Sequence, residues 1–180
     1  KFYKKRNNQK FIWLHDNFGT NARLTEIQSA IGLIQLRKLK SWNKKRKKYN
    51  DKINSVFNKF SAIRTIDVPN YVKHAYYKCY VFIIPEKLKK GWSRDRILKE
   101  INSFGVNCFT GTCPEVYLEN VFENKDLTSK KFKRLSNAKE LGETSLMFEI
   151  HPTLKEKDIQ KTLTTIDKVL CKASSVKTKK

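Results

Sequence analysis

Between Leu24 and Phe60 apolar residues return every third or fourth position, and no proline interrupts them. Ile27, Ala30, Ile31, Ile34, Leu39 and Trp42 give way to Tyr49, Ile53, Val56, Phe57 and Phe60, with the polar run NKKRKKYNDK on the other face. That period predicts one helix, or two nearly collinear ones, over residues 24–60. The usual helix has about 11–12 residues, so an element this long reads as a bridge between two domains. Thr25 followed by Gln28 supplies a capping box at its start, and Ser41 is the candidate break.

Beyond the helix the period changes. VPNYVKH, with Pro69, reads as a linker, and AYYKCYVFIIP is a strand by its β-branched and aromatic content, stopped at Pro85. Ser93 as N-cap, Asp95 in the first turn and Gly105 past the end frame a helix with Ile97, Leu98, Ile101 and Phe104 on its apolar face. VNCF is a second strand, SNAKELG a short helix closed by Gly142, and SLMFEIH a third strand. Thr153 with Glu156 proposes a capping box for a last helix reaching about Leu170, followed by a frayed basic tail. The order from residue 61 is thus β-α-β-α-β-α, an α/β arrangement with the helices expected on one face of a small sheet.

Composition narrows the function classes. A chain of 180 residues with 39% hydrophobic and 12% aromatic content is globular material. It has no apolar run near the roughly 20 residues that span a bilayer and no secretory signal, so the expected address is cytoplasmic with reduced thiols. Cys79, Cys108, Cys113 and Cys171 are scattered, without a Cys-x-x-Cys, and suggest neither a zinc site nor a disulfide framework. The net charge of +22 would suit nucleic acid. Yet 31 of the 39 basic residues are lysine and eight are arginine, whereas phosphate and base recognition favours the arginine fork. With 14 asparagines in the chain, a Lys/Asn bias and a solvated surface explain the charge more simply. A nucleic-acid module stays as the rival reading.

Candidate chemistry is sparse. His15, His74 and His151 are isolated, and no nucleophile–base set or phosphate-binding glycine loop appears. Glu115 and Glu119 would share a helix face, most simply a solvated one. In RKLKSWNKKRKK, the register of Trp42 with Leu39 and Arg46 favours core packing over base stacking. GTNAR is more suggestive: Asn21 and Arg23 place an amide and a guanidinium at a helix entrance, where anions are favoured. On local chemistry alone, an anion grip and a turn in which Asn21 only satisfies backbone groups stand level.

FGTNARLTEIQSAIGLIQLRKL resembles the Gly-x-Asn-x-Arg signature of the DegT/StrS family, the pyridoxal-phosphate-dependent nucleotide-sugar aminotransferases. HAYYKCYVFIIP, FGVNCFTGTCPEVYLENVF and RLSNAKELGETSLMFEIHPTL match later family segments in order. The resemblance implies the small α+β domain of a fold type I aminotransferase preceded by a bridging helix. Its domains would be 1–23 (end of the large domain and motif loop), 24–60 (helix), 61–171 (small domain) and 172–180 (disordered basic tail). It further implies amination of a nucleotide-linked keto-sugar, with glutamate as donor, for surface-polysaccharide or amino-sugar synthesis by a homodimer with shared sites. Asn21 would reach the cofactor phosphate of the neighbouring subunit, with Arg23 beside it. Cys113 and Tyr117 stand near the sugar, where many members carry histidine and tyrosine; the cysteine is a departure. No lysine lies in the family's Schiff-base context, so the chain is expected to be a C-terminal portion, inactive alone, or a truncated chain that only folds or dimerises.

Overall fold

The computed structural model describes residues 19, 23–111, 113–122 and 133–177. Helix α1 runs unbroken from Glu26 to Phe57, 32 residues, with Ser41 inside it. Its capping box is formed: Thr25 Oγ1 accepts from the Gln28 amide at 3.3 Å, and Gln28 Oε1 accepts from the Thr25 amide at 2.9 Å. The Ser41 hydroxyl bonds back to the Lys38 carbonyl and leaves the helix continuous.

Four strands follow, β1 (Ile63–Thr65), β2 (Lys78–Ile83), β3 (Cys108–Phe109) and β4 (Ser145–Glu149), in spatial order β1-β2-β4-β3. Every pairing is antiparallel, with Val81 opposite Leu146 and Tyr80 opposite Met147. Helices α2 (Arg94–Ser103), α3 (Ser136–Thr144) and α4 (Glu156–Ala173) complete a mixed α+β unit. The sequence reading has no counterpart to β1, whose three residues Ile63, Arg64 and Thr65 carry too little period to be seen.

The strand alternation of two sorts the sheet into faces. Cys79, Val81 and Ile83 point into the core with Ile53 and Phe57 of α1, Ile97 and Ile101 of α2, and Ile159, Ile166 and Leu170 of α4. Each such side chain contributes roughly 1.5–3 kcal/mol on burial. Phe57 and Phe148 meet at 5.4 Å between ring centroids, a favourable tilted pair. Tyr80 and Phe82 turn to the opposite face, where α3 lies. The expectation of helices on one face is therefore corrected: α1, α2 and α4 cover one side and α3 the other.

Three further details differ from the sequence reading. Gly142 does not close α3, which continues to Thr144. Thr153 does not cap α4; its hydroxyl pairs with His151 Nδ1 at 2.7 Å, and Asp158 accepts from the Lys155 amide at the true start. Trp42 is half-buried and Leu39 exposed, outside the core, because the sheet and α4 reach only the lower part of α1. Tyr49, Ile53, Val56 and Phe57 are buried, while Leu24, Ile27, Ile31 and Ile34 remain 50–75% exposed.

Candidate functional site

Two places carry the residues that the sequence singles out. The first is the N-terminus of α1. Thr25 and Gln28 complete the cap between themselves, so it does not depend on Arg23, whose side chain is exposed just ahead of it. Asn21 lies outside the described residues. A cation at the positive end of a 32-residue helix is a donor set suited to a phosphate, although Glu26 in the first turn opposes an anion there. That set fits the phosphate end of pyridoxal phosphate. It provides nothing for the ring.

The second is the loop from Cys113 to Phe122, which carries Cys113 and Tyr117. Burial and the neighbouring Glu119 carboxylate, which accepts from the thiol, push the Cys113 thiol up to about 12. It is a held thiol and not a thiolate nucleophile. The Tyr117 hydroxyl donates to Glu115 Oε1 at 2.7 Å and accepts from the Leu135 amide at 2.9 Å. Desolvation raises its pKa above that of a free phenol.

Glu115 and Glu119 do not form the solvated helix face that the sequence suggests. Short 3₁₀ turns at Val116–Leu118 and Asn120–Phe122 replace an α-helix, and the two carboxylates are 5% and 1% exposed. The Arg134 guanidinium grips Glu115 with both arms, Nε to Oε1 at 2.9 Å and Nη2 to Oε2 at 2.8 Å. These bonds hold the Glu115 pKa down at about 2, against burial, which pushes it up. Arg134 lies 19 residues further along the chain, and no local spacing announces the pair.

This network ties the loop to the start of α3. The other end of α3 meets the same loop at Pro114. A Cβ on Gly142 would stand 2.3 Å from Pro114 Cγ, so only glycine allows the contact. Arg94 adds a third anchor, donating from Nη1 to the Gly142 and Ser145 carbonyls at 3.0 Å each. Gly111, at φ +99°, brings the loop backbone against the Tyr80 ring, where a Cβ would approach Cε1 to 2.8 Å. Between the anchors a cavity of about 580 Å³ opens over Tyr80 and Phe82.

Comparison with known proteins gives a consistent set of relatives. A model of the DegT/DnrJ/EryC1/StrS aminotransferase family matches residues 3–167. The X-ray structure of the aminotransferase from Psychrobacter cryohalolentis is 41% identical, with a TM-score of 0.75, covering 94% of this chain and 44% of that one. The Helicobacter pylori aminotransferase PseC, involved in the biosynthesis of pseudoaminic acid, shares the fold at 19% identity and a TM-score of 0.67, over 86% of this chain and 39% of its own. An uncharacterized protein of Methanocaldococcus jannaschii is 23% identical over 168 residues, 92% of this chain and 42% of its own. The chain thus spans less than half the length of these relatives.

Proposed function

Because the chain belongs to the DegT/DnrJ/EryC1/StrS aminotransferase family, we propose that it is the C-terminal part of a pyridoxal-phosphate-dependent enzyme that aminates a nucleotide-linked keto-sugar. Glutamate is the amino donor in this reading, and the product serves surface-polysaccharide or amino-sugar synthesis in the cytoplasm. The observation that carries it is the 41% identity to an aminotransferase over 94% of the chain.

The cofactor, when bound, supplies the electron sink of transamination. In this reading the present chain contributes binding and shape. Asn21 and Arg23 hold the phosphate from the positive end of α1, where amides and dipole favour an anion. The phosphate belongs to a second copy of the chain, so each active site is shared within a homodimer. The upper half of α1 supports such an assembly: Ile27, Ile31, Leu33, Ile34 and Leu36 point around nearly the whole helix and are 50–75% exposed. A helix that leaves so many apolar side chains exposed is built to be covered. No described helix is long and apolar enough to cross a membrane, so protein and not lipid is the expected cover.

The loop from Cys113 to Tyr117 shapes the sugar side. Cys113, kept as a thiol by burial and with its proton turned to Glu119, offers no base where an imidazole would, so proton transfer is not its task. Tyr117, already bonded to Glu115 and the Leu135 amide, acts through its ring and its position.

The test uses the complete protein. Asn21→Ala combined with Arg23→Ala should release pyridoxal phosphate on dialysis while leaving the fold intact, read as loss of the bound cofactor's visible absorbance. Absorbance retained as in the unaltered protein would remove both residues from the phosphate site.

A further inference from the structure

The cavity beneath α3 is used by none of the roles assigned so far. Tyr80 and Phe82 form its floor, Pro114 one wall, and Leu135, Ala138 and Leu141 its roof. At about 580 Å³ it falls within the range of small-molecule sites, roughly 300–1,000 Å³. Its roof is fastened at both ends. Arg134, Glu115 and Tyr117 fix the start of α3 to the loop. Gly142 against Pro114, with Arg94 on the Gly142 carbonyl, fixes the end. Between these pins the helix roofs the cavity, while the other face of the same sheet carries the buried core. Leaving apolar atoms without partners costs dispersion contacts, and one of the pins requires a desolvated carboxylate. A space held open at such cost is a built one.

The lining states what it can take. Among the described residues that line the cavity none is charged, so neither a diphosphate nor an amino-acid carboxylate meets a counter-charge from them. Two aromatic rings below, aliphatic side chains above, and the Asn137 amide and Ser136 hydroxyl suit a flat uncharged heterocycle with polar edges. Arg64 lays its guanidinium 4.4 Å from the centroid of the Phe82 ring, a cation beside the floor but outside the lining. We propose that this cavity receives the heterocyclic base of the nucleotide-linked sugar, leaving the charged phosphates outside it. The assignment rests on the aminotransferase reading and adds to it the part of the substrate bound here.

Saturation-transfer NMR of the complete protein with uridine diphosphate and thymidine diphosphate tests it. The base protons should receive the strongest transfer. Ala138→Phe, which fills the space from the roof, should weaken binding about tenfold or more, by the usual worth of a stacked base. Asn137→Ala, a milder change on an exposed position, should weaken it by a smaller factor and serves if the larger side chain disturbs folding. Wild-type affinity in both variants would overturn the assignment and leave the aminotransferase reading standing. A lowered melting temperature in Ala138→Phe with unchanged nucleotide affinity would also overturn it, because the cavity would then hold polypeptide. Failure of the unaltered protein to bind either nucleotide would remove the parent reading and this assignment together.

Discussion

At Glu115 one carboxylate takes three hydrogen bonds, two from Arg134 and one from the Tyr117 phenol. Its pKa is held at about 2 where the ordinary value is 4.5, first by the Arg134 bonds. A depressed carboxylate contributes stability that is complete above the unfolded value, near 4.5, and is lost as pH falls toward 2. Arg134 is half-exposed, so solvent screening limits the effect to about 1 kcal/mol or less. Glu115→Gln should therefore lower stability to urea at neutral pH and flatten its fall between pH 4.5 and about 2. An unchanged acid limb in the variant would mean that the pair does not form. Cys113 and Tyr117 were visible in the sequence only through family resemblance, and Glu115 and Glu119 only as spacing. The burial of Glu115 was illegible because its partner Arg134 comes 19 residues later.

At the scale of elements, α3 is a roof whose contacts decide its shape. Gly142 looks in the sequence like a helix terminator. In the fold it sits inside α3, and its lack of a side chain serves a contact with Pro114. Gly142→Ala gains up to about 1 kcal/mol of helix propensity, but overpacking of this kind costs about 1–3 kcal/mol. The net expectation is a lower urea midpoint, and a raised midpoint would show that Pro114 yields freely. Local signals served well where the backbone itself was the issue. The Thr25–Gln28 box, the Ser93 cap and Gly105 at φ +68° are each formed as spacing suggested. They failed where a tertiary partner intervened: His151 takes the Thr153 hydroxyl, and α4 starts at Glu156. The face occupied by α3 was equally hidden, because the polar–apolar alternation of β2 is blurred by Tyr80 and Phe82. Those two rings are outward-facing and still apolar.

Over the whole molecule, α1 divides into two regimes. Its lower turns belong to the core through Tyr49, whose hydroxyl reaches the Leu154 carbonyl at 2.9 Å, and through Ile53 and Phe57. Its upper turns carry apolar side chains with no cover among the described residues. Arg37, Lys40, Lys44, Lys47 and Lys48 are all exposed, and Lys47 pairs with Asp51 at 2.6 Å. These residues make the solvated stripe that an amphipathic helix presents opposite its core. Five of the 39 basic residues thus lie on this stripe. In the proposed reading the upper turns are covered by a second copy of the chain. The most direct measurement follows isotopically labelled amino nitrogen from glutamate in a reaction of the complete protein with a nucleotide-linked keto-sugar. The account predicts that the label appears on the sugar as an amine, one for each 2-oxoglutarate released. Label that remains wholly in glutamate, with the protein folded and its cofactor bound, would contradict it.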